Sequence, residues 1–213
     1  MKTKIYMVRH GFSVANNDKR FTGQSDIPLN EVGEQQATLT GTYFENRSLD
    51  ALYASDLLRT CQTAEPIAIV TGLPIQKEQG LREIFAGQWE GRLFADLERD
   101  YPVDYKIWRE DVGRARCTGG ESVQELADRV LKTVARLAES HSGGTICLVT
   151  HATPIRVLCT ATSGLPMEEM AAVPWVCNAS VNEFFYEDGT FSRGEIDQTG
   201  HLGELRTKLP QNV

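Results

Sequence analysis

The sequence contains no apolar run that approaches the ~20 residues a membrane-spanning helix needs. Its N-terminal apolar stretch, Ile5 to Val8, is too short for the core of a secretory signal. Cysteine is sparse and unpatterned: five residues, an odd number, with no Cys-x-x-Cys pair. That excludes a disulfide framework and fits a reducing compartment, so the cytoplasm is the expected location. Only four histidines are present, with no His-x-x-x-His pair and no carboxylate cluster at ligand spacing, so no metal and no cofactor are expected. A Gly-x-x-x-x-Gly-Lys-Ser/Thr loop for nucleoside triphosphates is also missing. Positive charge is in deficit, with 22 Lys and Arg against 29 Asp and Glu. A net charge of −7 argues against nucleic acid or an anionic membrane as the partner. Repeats, low-complexity tracts and linkers are absent.

What remains is an ordinary globular composition, 41% hydrophobic and 24% charged. A chain of 213 residues is long enough to bury roughly 70% of its unfolded surface, and one domain over 1–213 is expected. Strand-like and helix-like patterns alternate. Ile5 to Val8 and Ala51 to Ala54 are short apolar strands. Thr145 to Thr150 is apolar or β-branched throughout, as in a strand covered on both faces. Asn30 caps a helix with Val32, Leu39 and Tyr43 on one face. Ser55-Asp56 is expected to cap a second helix bearing Leu57, Cys61, Ala64 and Ala68. Ser122-Val123-Gln124-Glu125 is a capping box opening a long helix with Leu126, Val130, Val134 and Leu137 inward. A hairpin is predicted over 180–186 and 190–196, turning at Glu187-Asp188-Gly189. The tail after Gly200 is polar and expected to be loose. Residues 84–120 hold Trp89, Trp108 and several glycines in a less regular pattern, expected as a small lid insertion. The fold class is α/β, a three-layer α/β/α sandwich with a mostly parallel sheet.

Two histidines, His10 and His151, each follow directly on an apolar strand. In such sheets that edge is where ligands bind, beside helix N-termini that favour anions. A neutral imidazole can attack phosphorus, and Arg9 beside His10 can grip phosphate oxygens through its planar fork. Gly11 would let backbone approach a ligand. Arg9-His10-Gly11 alone fits a solvated surface loop equally well.

The surrounding blocks are more specific. They are Arg9-His10-Gly11-Phe12-Ser13, with Asn16 and then Arg20-Phe21-Thr22-Gly23; Ser55-Asp56-Leu57-Leu58-Arg59-Thr60; Leu81-Arg82-Glu83 followed by Gly87-Gln88-Trp89-Glu90-Gly91; Gly119-Gly120-Glu121-Ser122; and Thr150-His151-Ala152. In this order, over about residues 4–185, they resemble the histidine phosphatase superfamily, which includes the cofactor-dependent phosphoglycerate mutases. The resemblance implies that His10 carries phosphate during turnover and that Arg9, Arg59 and His151 surround it. It implies Glu83 as proton donor, and Asn16, Thr22 and Gly23 as further phosphate-binding positions. Glu78 and Glu90 are nearby carboxylates; Glu90 is expected to hold lid structure.

The implied activity is that of a metal-independent phosphomonoesterase, with a small phosphorylated metabolite as partner and inorganic phosphate as product. Gly-x-Trp-Glu-Gly resembles the phosphatase branch, whereas Arg20-Phe21-Thr22-Gly23 resembles the mutases. Phe12 departs from the acidic or polar residue common at its position. A cofactor-dependent phosphoglycerate mutase, or a non-catalytic phospho-ligand-binding protein of the same fold, are the alternatives. The lid cations Arg92, Arg99, Lys106, Arg109, Arg114 and Arg116 are expected to be solvated, and His141 and His201 to be structural.

Overall fold

Alternating side chains on the central strands face two different helical layers. The structure, a computed structural model, describes residues 1–207. In β1 (Thr3–Arg9), Ile5 and Met7 join one apolar cluster while Tyr6 and Val8 join the other. The strand Thr145–Thr150 behaves likewise, sending Ile146 and Leu148 one way and Cys147 and Val149 the other. A strand covered on both faces must be apolar at consecutive positions, which is why these two were visible as unbroken runs.

Naming the elements in chain order, α1 is the single turn Val14–Asn17, α2 is Glu31–Phe44, β2 is Ala51–Ala54, α3 is Leu58–Thr71 and β3 is Ile75–Lys77. Then come α4 (Phe94–Asp100), α5 (Pro102–Glu110), α6 (Val123–Ser140), β4 (Thr145–Thr150) and α7 (Ala152–Ala161). The hairpin β5 (Val181–Glu187) and β6 (Thr190–Arg193) follows. The sheet order is β3-β2-β4-β1-β5-β6. Its first four strands are mutually parallel, and β5 and β6 continue it antiparallel. Helices α2 and α3 cover one face; α6, α7 and the 84–120 segment cover the other. This is the expected three-layer α/β/α sandwich. No helix among the described residues is long and apolar enough to cross a membrane.

Two of the three expected helix caps and the hairpin turn are present. Asn30 accepts the Gly33 amide, and Ser122 with Glu125 closes the capping box of α6. Asp188 and Gly189 both have positive φ, the backbone of a tight type I′ hairpin turn.

Three expectations need correction. The buried face of α2 is Gly33, Gln36, Ala37, Thr40, Gly41 and Phe44, whereas Val32, Leu39 and Tyr43 are only half-buried. Small residues face inward because α2 packs closely against α3: a Cβ on Gly41 would lie 2.7 Å from the Pro66 Cβ. Neither Ser55 nor Asp56 caps α3. Its first amide, on Leu58, instead donates to Asp26 Oδ1 from a distant loop at 2.6 Å, and Asp56 pairs with Arg82. The tail after Gly200 is docked up to the last described residues. Leu202 is buried, and Gln36 donates to the Leu205 carbonyl. Residues 208–213 of that tail lie outside the described residues.

The 84–120 segment carries α4 and α5, and its Trp89, Leu97, Tyr105, Trp108 and Cys117 belong to the same apolar cluster as β1 and α6. Every lid cation anticipated as solvated has a carboxylate neighbour, such as Arg92 with Asp100, Arg109 with Glu98 and Arg116 with Glu125.

A packing prediction follows from the α2 N-terminus. A Cβ on Gly33 would lie 2.1 Å from the Phe12 carbonyl oxygen, backbone that cannot swing aside. Gly33→Ala is therefore expected to cost about 1–3 kcal/mol of overpacking and to lower Tm by roughly 2–12 °C, read by calorimetry. An unchanged Tm would show that the His10 loop tolerates displacement.

Candidate active site

The carboxyl ends of three neighbouring strands, β2, β4 and β1, converge on one rim of the sheet. In the parallel β1–β4 register Arg9 stands opposite Thr150, so His10 and His151 are the next residues of each strand. The His10 amide donates to the Thr150 carbonyl at 3.0 Å, and the two imidazole rings lie 5.2 Å apart. Ser55 follows directly on β2, and its Oγ lies 2.9 Å from His151 Nε2.

His10 is 5% exposed. Its Nδ1 lies 2.8 Å from the Gly11 carbonyl, which can only accept, so Nδ1 carries the proton and Nε2 the lone pair. Gly11 is glycine for a reason other than ligand approach: a Cβ there would lie 2.6 Å from the Gly33 carbonyl oxygen.

Two buried guanidinium groups flank this imidazole. Arg9 donates to the Val176 carbonyl at 2.6 Å, and its Nε has no partner. Arg59 is 0% exposed; its terminal nitrogens donate to the Ser25 and Gly23 carbonyls, and its Nε is likewise unpartnered. Charges buried this deeply are costly unless an anion compensates them. Burial pushes the pKa of both arginines down to about 10, against the pull of Glu83, which leaves them charged at neutral pH. Glu90 organises the loop that holds Arg59: its carboxylate accepts the Gln24, Ser25 and Ala86 amides.

The side chains expected at the site line one pocket of about 440 Å³, with one exception. Arg9, His10, Asn16, Arg59 and Glu83 line it, as do Thr22 and Gly23. His151 is fully buried behind His10 and contributes no wall; its Nδ1 has no partner. Asn16 spends its carbonyl oxygen on Ser13 and Asn178. Glu83 is half-buried, with Oε1 accepting the Ile84 amide at 2.8 Å and Oε2 the Thr153 amide at 3.2 Å. Glu78 faces away and pairs with Arg136. His141 and His201 are structural: Tyr53 Oη lies 2.9 Å from His141 Nε2, and the Ala179 carbonyl 3.1 Å from His201 Nε2. Among the described residues no group of three or more His, Cys, Asp or Glu is arranged to hold a metal ion.

Two supporting residues carried no local signal. Asn178, 2% exposed, donates to the His10 and Gly11 carbonyls and to Asn16. Arg129 on α6 donates to the carbonyls of Gly80, Arg82 and Glu83 and pairs with Glu121, fixing the backbone that presents Glu83.

Burial, followed by the Arg59 and Arg9 charges, holds the His10 pKa well below the usual imidazole value, and burial with Arg59 does the same for His151. Both are neutral when folded, but each titrates near ~6.5 when unfolded. Below that pH the unfolded chain binds more protons, so stability falls as pH drops, by up to about 1.4 kcal/mol per pH unit for each histidine. The loss levels off only below the folded pKa values. His201, also lowered by burial, acts in the same direction. Urea melts between pH 7.5 and 5.5 are expected to show this slope, and His10→Asn to reduce it by an amount that grows towards about one proton at the acid end. An identical slope in the variant would contradict a neutral, buried His10.

A buried anion-seeking pocket at the rim of a mainly parallel sheet is the site of an α/β phosphoric monoester hydrolase. The chain matches the histidine phosphatase superfamily (branch 1) over residues 5–197 and belongs to that family. It is 32% identical over 203 residues to phosphoserine phosphatase 1 of Hydrogenobacter thermophilus, covering 95% of each chain. It is 37% identical over 167 residues to the probable phosphoglycerate mutase GpmB of Salmonella choleraesuis, covering 76% of each. Among solved structures, the mycobacterial glucosyl-3-phosphoglycerate phosphatase Rv2419c superposes with a TM-score of 0.84 at 29% identity, over 93% of this chain and 100% of that one.

Proposed function

We propose that this protein hydrolyses a small phosphomonoester through transient phosphorylation of His10 Nε2, with no metal ion. The observation that carries this is the Nδ1 hydrogen bond to the Gly11 carbonyl, which leaves a lone pair on Nε2 between two buried guanidinium groups. Arg9, Arg59 and Asn16 bind the phosphate oxygens, with Thr22 and Gly23 forming the adjacent wall, while His151, closed off from the pocket, packs edge-on against His10 and holds it in place. Charge neutralisation of this kind is most of what phosphoryl transfer needs.

Nε2 attacks phosphorus in line with the departing oxygen. The N–P bond forms as the P–O bond to the leaving group breaks, and Glu83 gives that oxygen its proton. Ionised Glu83 then takes a proton from water, whose oxygen attacks phosphorus and breaks the N–P bond. Inorganic phosphate leaves, and His10 is again neutral. Two easier steps replace one hard one. The 84–120 segment acts as the outer wall of the pocket within a single domain. The free thiols fit a reducing compartment, the cytoplasm.

The test is a rapid quench with radiolabelled substrate. A phosphoenzyme stable to alkali, labile to acid and formed equally in the presence of a chelator is expected. Its absence during active turnover would overturn the proposal. The similarity to a probable phosphoglycerate mutase favours one second reading. Conversion of 3-phosphoglycerate to 2-phosphoglycerate, dependent on catalytic 2,3-bisphosphoglycerate, would establish it in place of hydrolysis.

A further inference from the structure

A single threonine hydroxyl joins the loop of the nucleophile to the helix that bears Arg59. Thr63 lies on α3, one turn after Arg59, and is fully buried. Its Oγ1–H donates to the Arg59 carbonyl at 2.7 Å, because a carbonyl can only accept. Its oxygen accepts the Gly11 amide at 3.0 Å, because an N–H can only donate. Each partner has one possible role, so the orientation of the hydroxyl is fixed.

Donation to the carbonyl four residues back is a common habit of helical threonine. Thr40, Thr71, Thr133 and Thr160 share it. Thr63 differs in what its oxygen receives, a backbone amide 52 residues away in sequence and adjacent to His10. A hydroxyl that is already donating is polarised, which makes its oxygen a better acceptor. Gly11 is buried as well, so bulk solvent does not take the place of that acceptor.

The rest of this loop is held from other directions. Gln36 on α2 accepts the Phe12 amide at 2.8 Å, and Asn178 donates to the His10 and Gly11 carbonyls. Arg59 has anchors of its own, since its terminal nitrogens donate to the Ser25 and Gly23 carbonyls. What Thr63 joins is two backbones, one carrying the attacking imidazole and the other a phosphate-binding cation.

We propose that Thr63 is a positioning residue for phosphoryl transfer: its hydroxyl sets the spacing between the His10 loop and the Arg59 backbone, so that Nε2 meets a bound phosphate at attacking distance. This rests on His10 being the nucleophile, as argued above. Binding and chemistry then separate. Without the hydroxyl the guanidinium groups keep their anchors, and phosphate still binds. The imidazole, with its loop released from α3, loses its line of attack, and a misplacement of about 1 Å can cost on the order of 10²-fold in rate.

The test compares Thr63→Val, which keeps the branched shape and removes the hydroxyl, with Thr63→Ser, which keeps the hydroxyl. Thr63→Val is expected to lower kcat for an aryl phosphate, and the rate of phosphoenzyme formation, by about 10- to 100-fold, while the inhibition constant of inorganic phosphate stays within about threefold. Thr63→Ser is expected to stay within about threefold of the parent in both. Rates are measured well below the Tm of each variant, so lost stability alone leaves kcat unmoved. Thr63→Ala is the second hydroxyl-free variant, used if valine prevents folding. In the unmutated protein the Gly11 amide is expected to be protected from hydrogen exchange, a readout that needs no variant. Parental kcat in a folded hydroxyl-free variant, a loss of phosphate affinity as large as the loss of kcat, an equal loss in Thr63→Ser, or a freely exchanging Gly11 amide would each overturn the assignment. Failure of the parent reading looks different: the unmutated protein would then form no phosphoenzyme, or hydrolysis would persist in His10→Asn.

Discussion

Exchange of His10 for asparagine is expected to abolish the phosphoenzyme and to lower kcat by on the order of 10⁴–10⁶, the scale on which loss of a nucleophile acts in enzymes using covalent intermediates. The substitution isolates chemistry from structure. An asparagine carboxamide can still donate to the Gly11 carbonyl, the bond that His10 Nδ1 makes at 2.8 Å. It offers no nucleophilic nitrogen. The guanidinium groups of Arg9 and Arg59 are anchored elsewhere, to the Val176, Ser25 and Gly23 carbonyls, so the oxyanion-binding half of the site survives. Inorganic phosphate or vanadate should therefore bind His10→Asn within about tenfold of the parent while turnover disappears. Burst kinetics and isothermal titration check the two halves separately. Turnover within tenfold of the parent would place the attacking group elsewhere, and lost phosphate affinity with it would indicate a collapsed pocket.

How much of this was legible in the sequence depended on the range of the interaction. The strands β1 and β4 were visible because burial on both faces demands consecutive apolar residues, and the α6 cap because Ser122 and Glu125 satisfy each other within one turn. The convergence of His10, Arg9 and Arg59 was legible through motif blocks, since each sits at a strand end or a helix start. The α2 face was misread because close contact with α3 selects glycine, alanine and threonine, which hydrophobic periodicity does not register. The α3 cap was misread because its acceptor, Asp26, is 32 residues away. Arg129 and Asn178 were missed for the same reason: one reads as a solvated helical charge, the other as a loop residue, and only folding brings them to Glu83 and His10. Trp108 lay in the irregular 84–120 segment, expected as a lid and without an element assigned to it. Its place in the pocket wall follows from helix α5 packing into the main core, a long-range fact.

Glu83→Gln is expected to separate the two halves of the reaction. Against an alkyl phosphate, whose leaving oxygen needs a proton, the first chemical step should slow by about 10²–10⁴-fold, the usual worth of general acid catalysis. Against an aryl phosphate with a good leaving group, the first turnover should stay within about tenfold, because little protonation is needed there. The second step still requires a base to activate water, so the aryl substrate should leave phosphorylated His10 accumulated to nearly one equivalent, with a slow steady state after the burst. The side chain is well placed for a substitution this small. Both oxygens accept backbone amides, from Ile84 and Thr153, and Arg129 holds the preceding carbonyls. Glutamine keeps the shape but turns an N–H towards one of those amides, so some loss of orientation accompanies the loss of the proton. The dependence on leaving group distinguishes them: disorientation slows both substrates alike, whereas loss of an acid steepens the plot of rate against leaving-group pKa. A parallel plot, displaced but no steeper, would remove Glu83 from the role of acid and leave it a purely electrostatic neighbour of the two arginines.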